Sequence, residues 1–377
     1  MQNLDLQFQQ DLQPDKEMVA AIDVGGTNTR IQLTLIDKHS GYYQPVFLER
    51  YRINTKKDLA RQLSRIFQGT VRQKIRFCCI DFAGPVYNHQ QVMLTNWKDK
   101  PFIKLEDLYG WGLPAGHTLM VNDIEAGAFA IIDLMEAQQL DRPGCYQLYQ
   151  PHHLDSRPIS PGNMVVLVPG TGLGTAGIVM IREKDEKIRY QPVPAEMGHA
   201  PVNPLNHDHE SVIGWLIDHN KDWTGQWPTW EDFVSGRGLI RLYQGLANTS
   251  PCGSKQDIIN QATDPAALIA QFAIQHEDNR AEKALDLYLR CLGQAAQVLA
   301  LAYQPFGGIF LCGDVIAKNR TFVAESGLME VLHRNDQQAA LVKMFPVYLI
   351  TRKNLNIMGG LWAARNHLNR TESPKEE

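Results

Sequence analysis

A glycine turn near the start of the chain limits the possible folds more than any other feature of the sequence. Residues 21–30 read AIDVGGTNTR; the apolar run Met18–Val24 leads into the turn, and Ile31–Ile36, which alternates apolar and polar residues, leads out of it. Two such runs joined by glycines are typical of a β-hairpin. Glycines let a ligand approach the backbone closely, and Thr27 and Asn28 add short polar groups that suit phosphate oxygens. The turn therefore predicts either a phosphate-binding loop or a simple tight turn.

Asp23 ends the strand that enters this turn, two residues before Gly25 and Gly26. A carboxylate at the end of a buried strand is well placed to hold a hydrated Mg²⁺ ion. It can equally serve as the capping residue of a tight turn. The sequence alone leaves both roles open.

A second glycine turn, Pro169–Gly174, follows the apolar run Met164–Val168. The run Thr175–Ile181 after it predicts another strand, so the two turns resemble copies of one strand–turn–strand unit. Residues Gly172–Gly177 also match the dinucleotide pattern G-x-G-x-x-G. That fingerprint requires a helix where this chain predicts a strand. The second turn therefore predicts another hairpin and argues against a nicotinamide cofactor.

Composition excludes several classes of protein. The length of 377 residues favours two domains, and a net charge of −4 without a basic tract argues against nucleic acid and membranes as partners. No apolar run approaches the roughly 18 residues of a membrane span, and residues 1–17 lack the order of a signal peptide. The six cysteines form no C-x-x-C pair. Their spacing predicts buried free thiols in a reducing cytoplasm rather than disulfides or zinc ligands.

Strands and helices alternate along much of the chain, which predicts an α/β protein. The clearest elements are a helix over Asp58–Phe67, a strand over Ile75–Phe82 and a last helix over Asn356–Leu368. Helical patterns dominate residues 209–303, and a polar connection is expected over Tyr146–Pro161.

The short predicted strand Thr118–Val121 ends at Asn122 and Asp123, and a helix is predicted from Ile124. A carboxylate at such a boundary can accept the proton of an attacking hydroxyl, and phosphoryl transfer requires little else besides positioning and Mg²⁺. It can also be a plain helix cap, which residue type alone favours. The neighbouring Asn122 and the two glycine turns support the catalytic interpretation.

Together these motifs resemble the bacterial-type glucokinases of the actin/hexokinase/Hsp70 ATPase superfamily. The resemblance extends from about Met18 to about Leu368. Any one segment would be a weak signal, whereas several in the order of the family are specific. The matching segments are Asp23–Asn28, Thr95–Trp97, Asn122–Asp123, Pro169–Gly174, Glu196–His199, Glu231 with Ser235–Leu239, and Gly307–Phe310.

The resemblance implies a two-domain actin-like (ribonuclease H-like) α/β fold with an active-site cleft between the domains. The expected limits are a small domain over 18–133 with 356–370, a large domain over 134–355, and flexible tails at 1–17 and 371–377. The implied activity is ATP-dependent phosphorylation of glucose with Mg²⁺ as cofactor, in a cytoplasmic homodimer. The cysteine–histidine zinc motif of the related repressor/kinase group does not occur in the sequence.

The resemblance also implies a role for each matching residue. Asp123 corresponds to the general base that accepts the proton of the sugar 6-hydroxyl. The implied glucose ligands are Asn96, Asn122, Asp123, Glu196, His199 and Glu231. The implied nucleotide site consists of Asp23, through water and Mg²⁺, and of Gly25, Gly26, Thr27, Asn28, Gly170, Thr171, Gly172, Gly174 and Gly313. Asp314 stands where the adenosine turn of the family has a second glycine, which leaves the preferred nucleotide base open.

Two alternatives stay open at this point. One is another hexose or amino-sugar kinase of the same fold, and the other is a sugar sensor that binds without turnover. A sensor of this superfamily would carry an N-terminal helix-turn-helix, for which residues 1–17 are too short and too acidic. It would also be expected to lack the base, and Asp123 is present.

Overall fold

The computed structural model describes residues 16–37, 43–151, 161–219, 227–247, 249–250 and 255–372. The chain forms two compact units, Met1–Ala137 with Lys353–Glu377 and Gln138–Arg352. It therefore changes unit after residues 137 and 352, whereas the limits expected from the sequence were residues 133 and 355. Expectations for residues 1–15, 373–377 and Cys252 lie outside the described residues.

The first unit is a mixed α/β structure. Its elements are β1 (Lys16–Val24), β2 (Asn28–Asp37), β3 (Tyr43–Arg52), α1 (Lys56–Ile66), α2 (Gly69–Lys74), β4 (Ile75–Phe82), β5 (Val86–Tyr87), β6 (Gln91–Met93), β7 (Phe102–Lys104), α3 (Leu105–Gly110), β8 (Thr118–Asn122) and α4 (Asp123–Glu136). The second unit contains β9 (Cys145–Tyr149), β10 (Met164–Pro169), β11 (Leu173–Arg182), β12 (Ile188–Ala195), α5 (His207–His219), α6 (Gly236–Gly245), α7 (Gln256–Asn260), α8 (Pro265–Ile274), α9 (Asn279–Tyr303), β13 (Gly308–Cys312), α10 (Asp314–Lys318), α11 (Arg320–Glu325), α12 (Leu328–His333), α13 (Ala339–Val342) and β14 (Val347–Ile350). The last helix, α14 (Leu355–Glu372), returns to the first unit.

The main sheet of the first unit has the strand order β3-β2-β1-β4-β8. The β1–β2 hairpin is antiparallel, whereas β4 and β8 continue the sheet in parallel with β1. Residues 18–24 are buried in β1, because parallel strands of α/β sheets are covered on both faces. The parallel register pairs Asp23 with Asp81 and Phe82 with Asn122. The C-terminal ends of these strands therefore bring three polar positions to one edge of the sheet.

The second unit repeats this arrangement around the second glycine turn. Its sheet has the order β12-β11-β10-β13-β14-β9, with an antiparallel β10–β11 hairpin and β13 parallel to β10. The two glycine hairpins lie in different sheets, as the sequence predicts. The core of this unit joins the buried sides of α9 to residues of β10 and β13, including Val165, Leu167 and Ile309.

The structure corrects several expectations about single elements. The helix predicted from Asp58 begins at Lys56, because the Thr55 hydroxyl caps it by accepting the Asp58 N–H at 3.1 Å. The expected polar connection from Tyr146 begins instead as strand β9, which pairs antiparallel with β14 at the edge of the sheet. The segment predicted as a tail at residues 1–17 already forms β1 from Lys16, and α14 continues through Thr371 and Glu372.

The strand predicted over Thr175–Ile181 is confirmed, because β11 extends over Leu173–Arg182. The G-x-G-x-x-G match at Gly172–Gly177 is therefore not a Rossmann fingerprint, which requires a helix at that point. Among the described residues, no helix combines the length and the apolar character needed to cross a membrane.

Candidate active site

The first glycine turn is closed by a short backbone hydrogen bond. The Gly25 N–H donates to the Asn28 carbonyl at 2.9 Å, and the Asn28 side chain accepts from Arg50 Nε at 3.2 Å. The N–H groups of Gly26 and Thr27 make no hydrogen bond to any described residue. Backbone N–H groups that are left open in a turn can bind an anion.

Asn96, a predicted glucose ligand, lies directly against this turn. A Cβ placed on Gly26 would be 3.3 Å from the Cβ of Asn96. The next residue, Trp97, is buried and donates from its indole nitrogen to the Gly25 carbonyl at 3.3 Å. The structure therefore brings a residue predicted to bind sugar next to a loop predicted to bind phosphate. The two segments are far apart in the sequence: Trp97 and Gly25 are separated by 72 positions.

Asp23 belongs to a buried group of charged and polar side chains. Arg30 Nη1 donates to Asp23 Oδ2 at 2.9 Å. Burial raises the pKa of Asp23, although Arg30 acts against this shift. Burial also raises the pKa of Asp81 well above its usual range, and the nearby carboxylates of Asp23 and Asp123 add to the effect. Asp81 also makes a hydrogen bond with Asp23, and Asn356 Nδ2 donates to Asp81 Oδ1 at 3.3 Å.

The donor set at this edge of the sheet suits Mg²⁺ in kind. Magnesium prefers oxygen ligands, retains several waters, and is commonly held by one or two carboxylates together with substrate phosphates. Asp23 offers a carboxylate beside the open N–H groups of the first glycine turn. Within the described ranges, no group of three or more histidine, cysteine, aspartate or glutamate side chains is arranged to hold a metal ion.

The strand-to-helix boundary after β8 separates the roles of two adjacent residues. Asn122 is the N-cap of α4: its Oδ1 accepts the N–H groups of Ile124 at 2.7 Å and of Glu125 at 3.2 Å. Asp123 is already the first residue of the helix, so the expectation that Asp123 is the N-cap is wrong. The Asn122 side-chain nitrogen faces the Gly84 carbonyl at 3.5 Å.

The second glycine turn is held through both backbone groups of Gly170. The Gly170 N–H donates to the Gly172 carbonyl at 2.8 Å, and the Gly236 N–H donates to the Gly170 carbonyl at 2.9 Å. The N–H groups of Thr171 and Gly172 make no hydrogen bond within the described part of the chain. Gly174, in contrast, pairs with Val168 within the β10–β11 hairpin.

Glu231 lies against this second turn. Its Oε2 accepts the Leu173 N–H at 3.2 Å, and its Oε1 accepts from Arg237 Nη2 at 3.3 Å. A Cβ on Gly172 would be 2.3 Å from Glu231 Oε2, so only glycine allows this approach. As in the first unit, a residue predicted to bind sugar contacts a loop predicted to bind phosphate.

Glu196 is the N-cap residue of a one-turn 3₁₀ helix, Met197–His199, and His199 is its last residue. Their side chains are 71% and 61% exposed and face each other at 3.8 Å between Oε2 and Nε2. The turn packs onto the second glycine turn, because a Cβ on Gly198 would be 2.3 Å from the Leu173 carbonyl oxygen. Glu196, His199 and Glu231 therefore all lie near Leu173, with the side chains of the first two open to solvent.

A buried histidine packs beside the segment that carries Glu231. His209 Nδ1 accepts the Leu205 N–H at 3.3 Å, its Nε2 lies 3.6 Å from Cys291 Sγ, and its ring packs edge-on against Phe233 at 4.7 Å. Burial lowers the pKa of His209 to about 4. Because Nδ1 accepts a hydrogen bond, the neutral ring carries its proton on Nε2.

Gly313, expected in the adenosine turn, lies beside the second glycine turn. Its φ is +123°, and a Cβ there would be 2.4 Å from the Pro169 carbonyl oxygen. The parallel pairing of β10 with β13 brings the ends of these strands together. Asp314, which follows, is exposed as the first residue of α10.

Sequence reasoning missed two residues beside the first glycine turn, Asp81 and Asn356, and one beside the second, Arg237. Asp81 could have been noticed, since an acidic residue interrupts the apolar end of the predicted strand Ile75–Phe82. Arg237 lies in the matching segment Ser235–Leu239, but the pattern assigned it no role, although its partner Glu231 is only six positions away. Asn356 gave no local signal, because its partner Asp81 is 275 positions away.

Comparison with known proteins gives a consistent result. A family model for glucokinase matches residues 20–367. The chain is 30% identical over 347 residues to a glucokinase of Mesorhizobium japonicum, covering 91% of this chain and 90% of that protein. It is 26% identical over 365 residues to a glucokinase of a Nostoc species, covering 92% and 99% of the two chains.

Two solved structures show the same fold. The glucokinase of Balamuthia mandrillaris in complex with glucose has a TM-score of 0.74 at 23% identity, covering 93% of this chain and 94% of that chain. A ROK family glucokinase from Streptomyces griseus in complex with glucose and AMPPNP has a TM-score of 0.56 at 18% identity, covering 93% and 99%. The predicted actin-like α/β fold is therefore confirmed.

Proposed function

The chain belongs to the glucokinase family, and we propose from this membership and the contacts above how its residues carry out the ATP-dependent phosphorylation of glucose. The product is glucose 6-phosphate. One observation carries the assignment of residues. In each unit, a residue proposed to bind sugar contacts a glycine turn proposed to bind phosphate: Asn96 meets Gly26, and Glu231 meets Gly172 and Leu173.

Asp123 is the proposed general base. The γ-phosphoryl group of ATP is transferred in line to the 6-hydroxyl of glucose: the new O–P bond forms, the bond from the γ-phosphorus to the bridging oxygen of ADP breaks, and the hydroxyl proton passes to the Asp123 carboxylate. Asn122 already caps helix α4, so the Asp123 carboxylate is not needed for helix capping.

The proposed sugar ligands supply both hydrogen-bond donors and acceptors, as a polyol requires. Carboxylates accept from hydroxyl groups, whereas the amides and the imidazole can do either. The ligands are Asn96, Asn122 and Asp123 in the first unit, and Glu196, His199 and Glu231 in the second.

The proposed phosphate ligands are the glycine turns Gly25–Asn28 and Gly170–Gly174, with Gly313 at the adenosine. The open N–H groups of Gly26, Thr27, Thr171 and Gly172 would donate to phosphate oxygens. Asp23 would hold Mg²⁺ through water, and the ion would supply charge neutralisation to the phosphates. Asp81 and Arg30 orient the Asp23 carboxylate, with which both make hydrogen bonds.

Two further properties belong to the proposal. The protein is a cytoplasmic enzyme, in keeping with the buried free thiols of the described cysteines Cys78, Cys79, Cys145, Cys291 and Cys312. It acts as a homodimer, so its mass in solution should be twice the 42.6 kDa of one chain. Light scattering that gives the monomer mass would contradict the second statement.

A coupled assay tests the reaction. The purified chain is mixed with ATP, ADP or polyphosphate and with glucose, mannose, fructose or N-acetylglucosamine, and sugar phosphate is measured. Turnover should be highest with ATP and glucose. A higher kcat/KM with another sugar would favour another hexose or amino-sugar kinase of the same fold. Glucose binding by calorimetry without any turnover would favour a sugar sensor.

A further inference from the structure

The carboxylate of Glu231 lies between a backbone loop and a cation. One oxygen accepts the Leu173 N–H at 3.2 Å, and the other accepts from Arg237 Nη2 at 3.3 Å. The Glu231 side chain is 23% exposed, and that of Arg237 is 68% exposed. Glu231 is therefore partly withdrawn from water, and Arg237 extends from it into solvent.

The segment between these two residues braces the second glycine turn. Glu231 holds the turn through Leu173, and Gly236, the residue before Arg237, holds it through the Gly170 carbonyl at 2.9 Å. Ser235, which is buried, fixes the bend between them by donating to the Glu231 carbonyl at 2.7 Å and accepting the Gly238 N–H at 3.0 Å. The backbone of Arg237 is thus held in place next to the second glycine turn.

This arrangement would be unfavourable without a cation. A carboxylate in contact with a loop that binds a triphosphate repels the phosphates, and partial burial strengthens the repulsion because water screens it less. A carboxylate without an orienting partner can also leave the loop by rotating to solvent. A guanidinium group that binds the carboxylate reduces the repulsion of the phosphates and also keeps the carboxylate from rotating to solvent.

We infer that Arg237 is a positioning residue that orients and neutralises Glu231, so that one carboxylate can bind the sugar while touching the phosphate loop. This inference rests on the proposed function, since it assumes that Glu231 binds glucose and that Gly170–Gly174 bind the phosphates of ATP. Arg237 acts through Glu231 and contacts neither substrate.

The test is a double-mutant cycle on the full-length protein, read by calorimetry of glucose and of Mg–ATP separately. Arg237→Met should weaken both affinities about three- to fivefold, as expected for a pair with one exposed partner. Adding Glu231→Gln should restore ATP affinity, since the repelling charge is gone, but should not restore glucose affinity. Arg237→Lys should retain ATP affinity, and the loss in Arg237→Met should shrink at high salt.

Arg241→Met is the matched control. Arg241 is on the same helix and makes an ion pair of 2.6 Å with Asp232, the neighbour of Glu231. This variant should lower the melting temperature and leave both affinities unchanged.

Three results would overturn the inference. Unchanged affinities in Arg237→Met would remove any role in positioning. An equal loss of ATP affinity in the Glu231→Gln background would show that Arg237 acts by itself on the nucleotide. An equal loss of affinity in Arg241→Met would show that Arg237 contributes only to the stability of this part of the fold. Binding is measured without turnover. A failure of the kinase assay alone would therefore overturn the proposed reaction, and the affinities of the double-mutant cycle could still be interpreted.

Discussion

Asn122 caps helix α4, and Asp123 directly follows it as the first helical residue. The Asn122 Oδ1 accepts from the N–H groups of Ile124 and Glu125 at 2.7 and 3.2 Å. Asn122 is therefore the residue that ends the strand and caps the helix, and Asp123 is not the N-cap. The proposed catalytic role of Asp123 can therefore be tested separately from the loss of the cap.

Replacing Asp123 by Asn should lower kcat by about 10²- to 10⁴-fold, the usual cost of losing a general base. The amide keeps the size of the side chain but cannot accept the proton of the 6-hydroxyl. The melting temperature should stay close to that of the wild type, because the cap is intact. Steady-state kinetics and thermal melting check both parts.

Asn122→Ala provides the opposite pattern for stability. Loss of the cap should destabilise the protein by about 1 kcal/mol, whereas Asn122→Asp should keep most of that stability.

Near-normal turnover of Asp123→Asn would exclude Asp123 as the base.

Glu196→Gln and His199→Ala should each raise the KM for glucose and leave the KM for ATP nearly unchanged. Gln keeps the hydrogen bond but loses the charge that strengthens it, whereas Ala removes the imidazole partner altogether. Hydrogen bonds contribute roughly 1.5–3 kcal/mol when one partner is charged and roughly 0.5–1.5 kcal/mol when both are neutral. Both side chains are largely exposed, so folding should not suffer. Wild-type KM values for glucose in both variants would show that the sugar binds elsewhere.

Gly172→Ala should weaken glucose binding by about tenfold, the loss of roughly one charged hydrogen bond, with little loss of stability. The new Cβ would lie 2.3 Å from Glu231 Oε2. The carboxylate is the free end of a side chain and can move away, so the fold survives while Glu231 is displaced. Calorimetry of glucose binding and thermal melting measure the two effects.

The matched control is Gly214→Ala in α5, where an added Cβ meets nothing within 4 Å. It should retain full glucose affinity. A Gly172→Ala protein that binds glucose like the wild type would mean that the position of Glu231 does not matter for the sugar.

The protein should lose stability as the pH falls from about 6.5 to about 4 because of His209. Burial lowers the pKa of His209 to about 4 in the folded protein, whereas the unfolded chain has an ordinary value near 6.5. Within this window the unfolded state binds a proton that the folded state does not. Stability therefore rises with pH there, by about 3 kcal/mol in total from this residue.

Denaturant unfolding at several pH values measures this slope. His209→Gln, which can still accept the Leu205 N–H, should show a smaller decline at low pH. His207→Gln, at the exposed first position of the same helix, should decline as the wild type does. Equal slopes in all three proteins would disprove the assignment to His209.

Much of the fold could be predicted because its signals are local. The strand Ile75–Phe82 has the bounds that its apolar run indicates. The two glycine hairpins follow from runs on either side of a turn. Strand β9 was missed, because a short stretch such as Cys145–Tyr149 is recognisable as a strand only when its partner β14 is known. The four short helices between Asp314 and Val342 were also missed, since each is too short to display a helical period.

By itself, the sequence determined the α/β class, the glycine turns and the Asn122–Asp123 boundary, since each depends on residues within a few positions of one another. Only the tertiary structure decided that Asn122 is the cap, that Asp81 lies beside Asp23, and that Glu231 contacts Leu173. Leu173 and Glu231 are 58 positions apart, and Asp81 and its partner Asn356 are 275 apart. Such contacts depend on strand order and packing, which no local period encodes, because side chains from distant segments meet only after the sheets have formed.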